Sequence, residues 1–300
     1  MSHTTDAGVL SASRPATTTG QRTHRYLRLA LVILVVALLT AVAVEIAATG
    51  TVLPSISHYF YTPARNAFVG CLVAVSLALL ALSGRDLETT LLDVAAVFAP
   101  LIALIPTGYD DDPDALRPQC PTDAECLPAD YLPDVHNSVV TYAIITGLVV
   151  ATALIVRAVA RLPLRSTLIA GGIGVAVAAV LLLLAFAPGL REGFPFNRLL
   201  PVSVHFAVTT AFFASFAAVP LVHALRRDAP PDETPAPWQR AIYLAVPALL
   251  VVDLVLLFAL MQAVPGFVFW AEAVALLLFA VFWLVQTIQR WHEPNPPSLL

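Results

Sequence analysis

Three histidines, two glutamates, a serine and an arginine are the residues of this 300-residue sequence best suited to chemistry. They are Ser57, His58, Arg65, His136, His205, Glu45 and Glu272. Three neutral imidazoles with one open position form the ligand set of a catalytic zinc ion, which makes hydroxide available near neutral pH. Either glutamate would then act as the base, and the arginine would hold an anionic substrate. The residue types therefore allow a zinc-dependent hydrolase that acts on a lipid, with His58, His136 and His205 as the ligands.

The same residues also permit a binding role, because the histidines come from separate segments without the short spacing of most metal motifs. Ser57, His58, Arg65 and His205 would then recognise a lipid headgroup or another small anion. A guanidinium offers a fork of donors to phosphate or carboxylate, and the start of a helix favours anions. We take this binding role as the leading hypothesis, and ordinary interfacial or packing roles for the histidines remain open beside it.

Asp253 differs from these residues because it lies near the middle of an apolar run with no basic residue at its depth. A carboxyl group there is costly unless it is neutral and hydrogen-bonded to a neighbouring helix, or serves transport. The sequence therefore allows a third function, a proton-coupled carrier in which Asp253 relays protons.

Two cysteines lie in the long acidic loop formed by residues 108–136. Cys120 and Cys126 are predicted to form a disulfide bond if the loop faces an oxidising compartment, the alternatives being free thiols or a metal pair. Asp110, Asp112 and Asp114 have the spacing of a calcium loop, but the glycine and the final glutamate of that motif are absent. A solvated acidic surface is the better interpretation.

The composition places all these residues in a membrane protein. The chain is 59% hydrophobic and 12% charged, with a mean hydropathy of +0.83, whereas soluble domains are about 45–50% apolar and about 25% charged. Eight apolar runs are each long enough to span a bilayer. They are residues 26–50, 66–84, 89–107, 137–159, 167–188, 202–225, 241–264 and 267–289. The predicted fold is an all-α polytopic transmembrane bundle of about eight helices.

The arginines predict the orientation of these helices, because basic residues are retained on the cytoplasmic side. With both termini in the cytoplasm, twelve of the sixteen basic residues fall inside and four outside. The outer four are Arg65, Arg117, Arg191 and Arg198. All sixteen are Arg, as in a high-GC bacterial genome, so we expect a multi-pass protein of the bacterial plasma membrane.

The runs also divide the chain. We predict a disordered cytoplasmic tail (1–25), a six-helix body (26–225), a proline-rich cytoplasmic linker (226–240), a final helix pair (241–289) and a short cytoplasmic tail (290–300). Aromatic residues gather at the predicted membrane boundaries, as in an aromatic belt. Membrane lipids are therefore the expected partners, and no basic patch suits nucleic acid. Whether a protein partner exists is left open by the sequence.

Residues 57–70 carry the pattern S-x-Y-x-Y-T-P-x-R-x-x-F-V-G. This segment resembles the first outer loop of a bacterial multi-pass membrane family known as a domain of unknown function. The resemblance extends to residues 104–107 and 204–206 and covers about residues 53–225. It implies a helix bundle and no particular reaction.

A more distant likeness is to the membrane hydrolase superfamily of alkaline ceramidases and progestin/adiponectin-type receptors, which bind zinc through Ser, Asp and three His. That pattern has paired histidines on one late helix. Here His205 and His223 are eighteen positions apart and are predicted to lie on opposite sides of the membrane.

Overall fold

The computed structural model describes residues 18–82, 87–108, 127–191, 193–196, 202–226 and 234–291, and these residues form an all-helical bundle. The eight long helices are α1 (Thr18–Thr49), α2 (Arg65–Leu82), α3 (Leu87–Leu104), α4 (Leu132–Val159), α5 (Arg165–Phe186), α6 (Val204–Leu225), α7 (Pro237–Leu260) and α8 (Phe267–Gln289). Two short 3₁₀ helices, η1 (Ile56–Tyr61) and η2 (Ala129–Tyr131), lie between them. The predicted all-α bundle of eight helices is confirmed.

Each of the eight helices is long and apolar enough to cross a membrane. Their outward faces carry large hydrophobic side chains that remain exposed, such as Val251, Val252 and Val255 on α7. A bilayer removes these side chains from water, which explains why the chain needs so few charged residues. The chain is therefore a multi-pass membrane protein.

Two helices begin earlier than the sequence predicts. α1 begins at Thr18, inside the segment predicted to be a tail. Further along this helix, Arg28 is buried and the guanidinium of Arg25 lies 5.1 Å from the centre of the Trp291 ring. α7 begins at Pro237, inside the predicted linker, because proline is well suited to the first turn of a helix.

Six of the helices form a closed ring in the order α1, α2, α3, α6, α7 and α8, with α8 packing against α1. α4 and α5 pack against each other outside this ring and contact it through α3. The sequence analysis placed α7 and α8 apart from a six-helix body. In the structure they close the ring between α6 and α1, and α4 and α5 are the outer pair.

Aromatic side chains fill the ring between α6, α7 and α8. Phe216 lies 4.7 Å from Phe279 and 5.4 Å from Phe282, and Tyr243 of α7 lies 5.6 Å from Phe282. These four side chains, with Trp283, are nearly inaccessible. Because large rings fill the space, α6 and α8 are held at a distance from each other, and polar side chains gather at the two ends of the ring.

We call the end at which α3 finishes and α6 and α8 begin the η1 end, and the opposite end, at which α1 begins and α8 finishes, the terminal end. η1 covers the η1 end and contacts α2, α3 and α8. The chain approaches α8 through Gly266, whose φ of +73° is a conformation that glycine adopts without strain. The backbone N–H of Phe269 then donates to the carbonyl of Pro54, 3.0 Å away, and fastens α8 to the segment before η1.

Candidate functional site

η1 begins at a serine that also orients a histidine. Ser55 is the N-cap, and its Oγ accepts from the backbone N–H of His58 at 3.2 Å. The same Oγ lies 2.6 Å from Nδ1 of His58. The hydroxyl of Ser55 thus contacts both the backbone N–H and the imidazole of His58. One N-cap residue thus fixes both the start of η1 and the ring of His58.

Glu272 of α8 binds the open end of η1. Its Oε2 accepts from the backbone N–H groups of Ile56 and Ser57 at 2.5 and 3.2 Å, and its Oε1 lies 2.9 Å from Oγ of Ser57. The first N–H groups of a helix have no partner within the helix, and a carboxyl group satisfies them well. The groups of η1 that could receive an external anion are therefore occupied by a carboxyl group of the protein.

His205, in the first turn of α6, completes this cluster. Its Nδ1 lies 2.7 Å from the carbonyl oxygen of Ile105, just after α3, and its Nε2 lies 3.0 Å from Oγ of Ser57. A carbonyl can only accept, so Nδ1 carries a hydrogen. The outcome is a continuous hydrogen-bonded chain from Glu272 through Ser57 to His205, which we call the Glu-Ser-His chain.

A serine hydroxyl within hydrogen-bonding distance of an oriented imidazole is the geometry of a nucleophile and its base. In this protein, however, the side chains of Ser57 and His205 are each only 5% exposed. The backbone N–H groups that could stabilise an oxyanion are bonded to Glu272. The geometry therefore favours a role for these three side chains in holding a proton rather than a role for Ser57 as a nucleophile.

Arg65 lies at the start of α2, apart from this chain. Its guanidinium is 4.3 Å above the ring of Phe60 and 5.3 Å from that of Tyr131, and it donates to Oδ2 of Asp134 at 3.0 Å. The side chains of Arg65 and Asp134 are 34% and 56% exposed. Two aromatic faces thus hold an accessible guanidinium whose carboxylate partner is on the surface.

The three histidines predicted to hold zinc do not converge. The ring of His136 lies 5.0 Å from that of Phe186 and stacks at 6.2 Å on that of Phe194. Among the residues that the structure describes, no three His, Cys, Asp or Glu side chains form a group that could hold a metal ion. The arrangement thus gives the zinc hydrolase hypothesis no support, and His136 is a packing residue at the η1 end.

The remaining predicted residues lie apart from the Glu-Ser-His chain. Glu45 of α1 is half-buried and its charge acts on Tyr59. Asp253 is half-buried in α7, between the exposed side chains of Val251, Val252 and Val255. Cys120 and Cys126, with the predicted disulfide bond, lie outside the described residues.

A second polar cluster, at the terminal end, was missed by the sequence analysis. Glu88 of α3 contacts His223 of α6, whose Nε2 lies 3.0 Å from Oε1 of Gln289, and Tyr243 donates to the same oxygen at 2.6 Å. Arg290 lies 4.0 Å from the other oxygen of Glu88. The spacing of two histidines in the sequence could have indicated this cluster. Residues eighteen positions apart on a helix face the same way, so His223 lies on the same face of α6 as His205.

Comparison of the chain with known protein families, with curated proteins and with solved structures finds no match. The resemblance of residues 53–225 to a family of unknown function thus stays a prediction.

Proposed function

We propose that this multi-pass membrane protein binds the phosphate group of a lipid, or another small anion, at its η1 end. The observation that carries the proposal is the guanidinium of Arg65, held 4.3 Å above the ring of Phe60 and partly exposed. A guanidinium is planar and presents its N–H groups as a fork that matches the oxygens of phosphate, and the aromatic face beside it holds it in position. Arg65 is also the first residue of α2, where the helix dipole attracts anions.

The proposal narrows the set of ligand residues. Ser57, His58 and His205 are buried, and the N–H groups of η1 bind Glu272. Arg65 is accessible, and its exposed ion pair with Asp134 contributes only about 0–1 kcal/mol. A phosphate can therefore replace Asp134 at little cost. We assign anion binding to Arg65 alone among the four residues.

Within this proposal the protein lies in the bacterial plasma membrane with both termini in the cytoplasm. The sorting of the arginines supports this orientation, because twelve of sixteen fall on one side. Arg65 then faces the outer leaflet, at the depth of lipid headgroups. Two aromatic residues near it, Tyr61 and Tyr131, suit the same depth.

The test compares binding of phosphatidylglycerol and phosphatidylcholine to the detergent-purified protein by native mass spectrometry. Arg65→Ala should weaken binding of phosphatidylglycerol by roughly tenfold or more, since a charge-assisted hydrogen bond contributes about 1.5–3 kcal/mol. Asp134→Asn should strengthen binding, because it frees the guanidinium. Competition with inorganic phosphate distinguishes a headgroup site from a site for free anions.

Arg191→Ala is the matched control, since Arg191 is an exposed arginine just beyond α5 at the same end of the bundle. Its substitution should leave lipid binding unchanged. An equal loss in Arg65→Ala and Arg191→Ala would show that binding reflects general surface charge, and the proposal would then fail.

A further inference from the structure

The Glu-Ser-His chain contains two gaps between heavy atoms, and each gap needs one hydrogen. The first gap is the 2.9 Å between Oε1 of Glu272 and Oγ of Ser57, and the second is the 3.0 Å between that Oγ and Nε2 of His205. A hydroxyl has one hydrogen and can fill one gap only. The second hydrogen must come from Glu272 or from His205.

The outer atoms of the Glu-Ser-His chain, Nδ1 of His205 and Oε2 of Glu272, have fixed donor and acceptor roles, so neither of them can supply the missing hydrogen. Nδ1 of His205 donates to the carbonyl of Ile105, which can only accept. Oε2 of Glu272 accepts from two backbone N–H groups and carries no hydrogen. The extra proton therefore lies on Oε1 of Glu272 or on Nε2 of His205.

We propose that Glu272, Ser57 and His205 form a proton-binding site that holds one exchangeable proton, and that this proton fastens η1 between α6 and α8. The site is independent of the proposed anion binding at Arg65. It differs from the relay predicted at Asp253, because its proton is shared by three side chains from separate elements.

The proton moves along the chain without a change in the number of protons. When the O–H bond of Glu272 breaks, its proton passes to Oγ of Ser57, and the hydroxyl proton of Ser57 passes to Nε2 of His205. The neutral acid and neutral imidazole thereby become a carboxylate and an imidazolium, joined by the same hydroxyl. As a residue, Glu272 is half-buried whereas Ser57 and His205 are buried, so Glu272 is the most exposed of the three residues.

Loss of the proton leaves two lone pairs facing each other across one of the gaps. A buried polar contact without its hydrogen is costly, so η1 should then separate from α6 or from α8. The titratable groups nearest to the chain are His58 and Tyr59 of η1 itself. On the elements packed around η1, Glu45 of α1 acts on Tyr59, and Arg65 of α2 lies over the ring of Phe60. The acidic side chains of α3 and α7, Asp93 and Asp253, lie further along those helices.

Glu272→Gln separates this proposal from an ordinary carboxylate contact. The amide oxygen can accept both backbone N–H groups, and the amide nitrogen donates permanently to Oγ of Ser57, as the bound proton does. The substitution should therefore keep η1 in place. Glu272→Ala removes every one of these contacts and should release η1.

Hydrogen–deuterium exchange of the peptide that contains residues 53–62, measured in detergent and corrected for the intrinsic effect of pH, tests these expectations. Near neutral pH, the wild type and Glu272→Gln should be equally protected, and Glu272→Ala should exchange at least tenfold faster. As the pH is raised, protection should fall in the wild type and stay constant in Glu272→Gln.

Two results would overturn the proposal: Glu272→Gln exchanging as fast as Glu272→Ala, or the wild type and Glu272→Gln sharing one pH profile. Protection of residues 165–186 in α5, far from the site in the chain, reports whether each variant is folded. Ser57→Ala, made both in the wild type and in Glu272→Gln, gives a second measurement. It removes the bridging hydroxyl but keeps Glu272 and His205, so the pH profiles of the two Ser57→Ala proteins should coincide.

Discussion

Nδ1 of His223 lies 3.0 Å from Oε1 of Glu88, and this contact joins the last turn of α6 to the first turn of α3. Both side chains are buried, and Oε1 of Gln289 lies beside the other ring nitrogen of His223. A carboxylate oxygen can only accept, so Nδ1 of His223 donates to Glu88. The terminal end of the bundle is therefore fastened by a charged contact as well as by packing.

Glu88→Ala should lower the free energy of unfolding by about 3–5 kcal/mol, because it leaves His223 buried without its carboxylate. Glu88→Gln should cost less, since the amide oxygen can still accept from the imidazole. Chemical denaturation in detergent measures both values. Asp253→Asn serves as the control, and an equal loss in Glu88→Ala and Asp253→Asn would contradict the role given to Glu88.

Ionisation of Tyr59 should lower the stability of the protein at alkaline pH. Burial, and to a lesser degree the charge of Glu45, raises the pKa of the Tyr59 phenol, although the N–H of Leu53 acts in the opposite direction. The folded protein therefore keeps this proton above pH 10, where an unfolded tyrosine releases it. The contribution of the neutral Tyr59 phenol to the free energy of unfolding is therefore complete below about pH 10, and it is lost as the pH rises through the pKa of Tyr59 in the folded protein.

The absorbance of tyrosinate checks this expectation. The difference between the wild type and Tyr59→Phe isolates the titration of Tyr59, and N-acetyltyrosinamide in the same detergent solution is the reference phenol. Tyr59 should ionise at a higher pH than this reference. Ionisation of both at the same pH would mean that the phenol of Tyr59 is open to water.

Gly171 should be intolerant of larger residues. A Cβ at this position would lie 3.0 Å from Cγ1 of Val150 on α4, whereas a Cβ at Gly172 would meet nothing within 4 Å. Gly171→Leu should therefore cost about 1–3 kcal/mol by forcing α5 away from α4. Gly172→Leu has the same favourable change in helix propensity without the clash, so it should be at least as stable as the wild type. Thermal unfolding of the two variants in detergent decides the matter, and equal transition temperatures would contradict this account of the α4–α5 contact.

The number and positions of the helices could be predicted from the sequence because each span is a continuous apolar run. The ends of α8 agree with the predicted residues 267–289, and α2 begins within one residue of its prediction. The order of the ring could not be predicted, because lipid-facing and helix-facing residues are equally apolar.

The candidate site was predicted only in part. Glu272, Ser57 and His205 were each singled out, but as catalytic or ligand residues rather than as partners. Ser57 and Glu272 are separated by 215 positions, and no local spacing reveals a contact between separate elements. Arg65 was identified by its residue type, whereas its bond to Asp134 depends on how α4 packs.

The two polar clusters share helices α6 and α8, and their separation has a consequence for the surrounding lipid. His205 and His223 are eighteen residues apart on α6, which corresponds to about 27 Å at 1.5 Å per residue. The hydrocarbon core of a bilayer is about 30 Å thick. The distance between the two clusters thus matches the thickness of the hydrocarbon core. In a markedly thinner or thicker bilayer, the helix ring would have to tilt, or the bilayer would have to deform around it, for both clusters to stay at the interface.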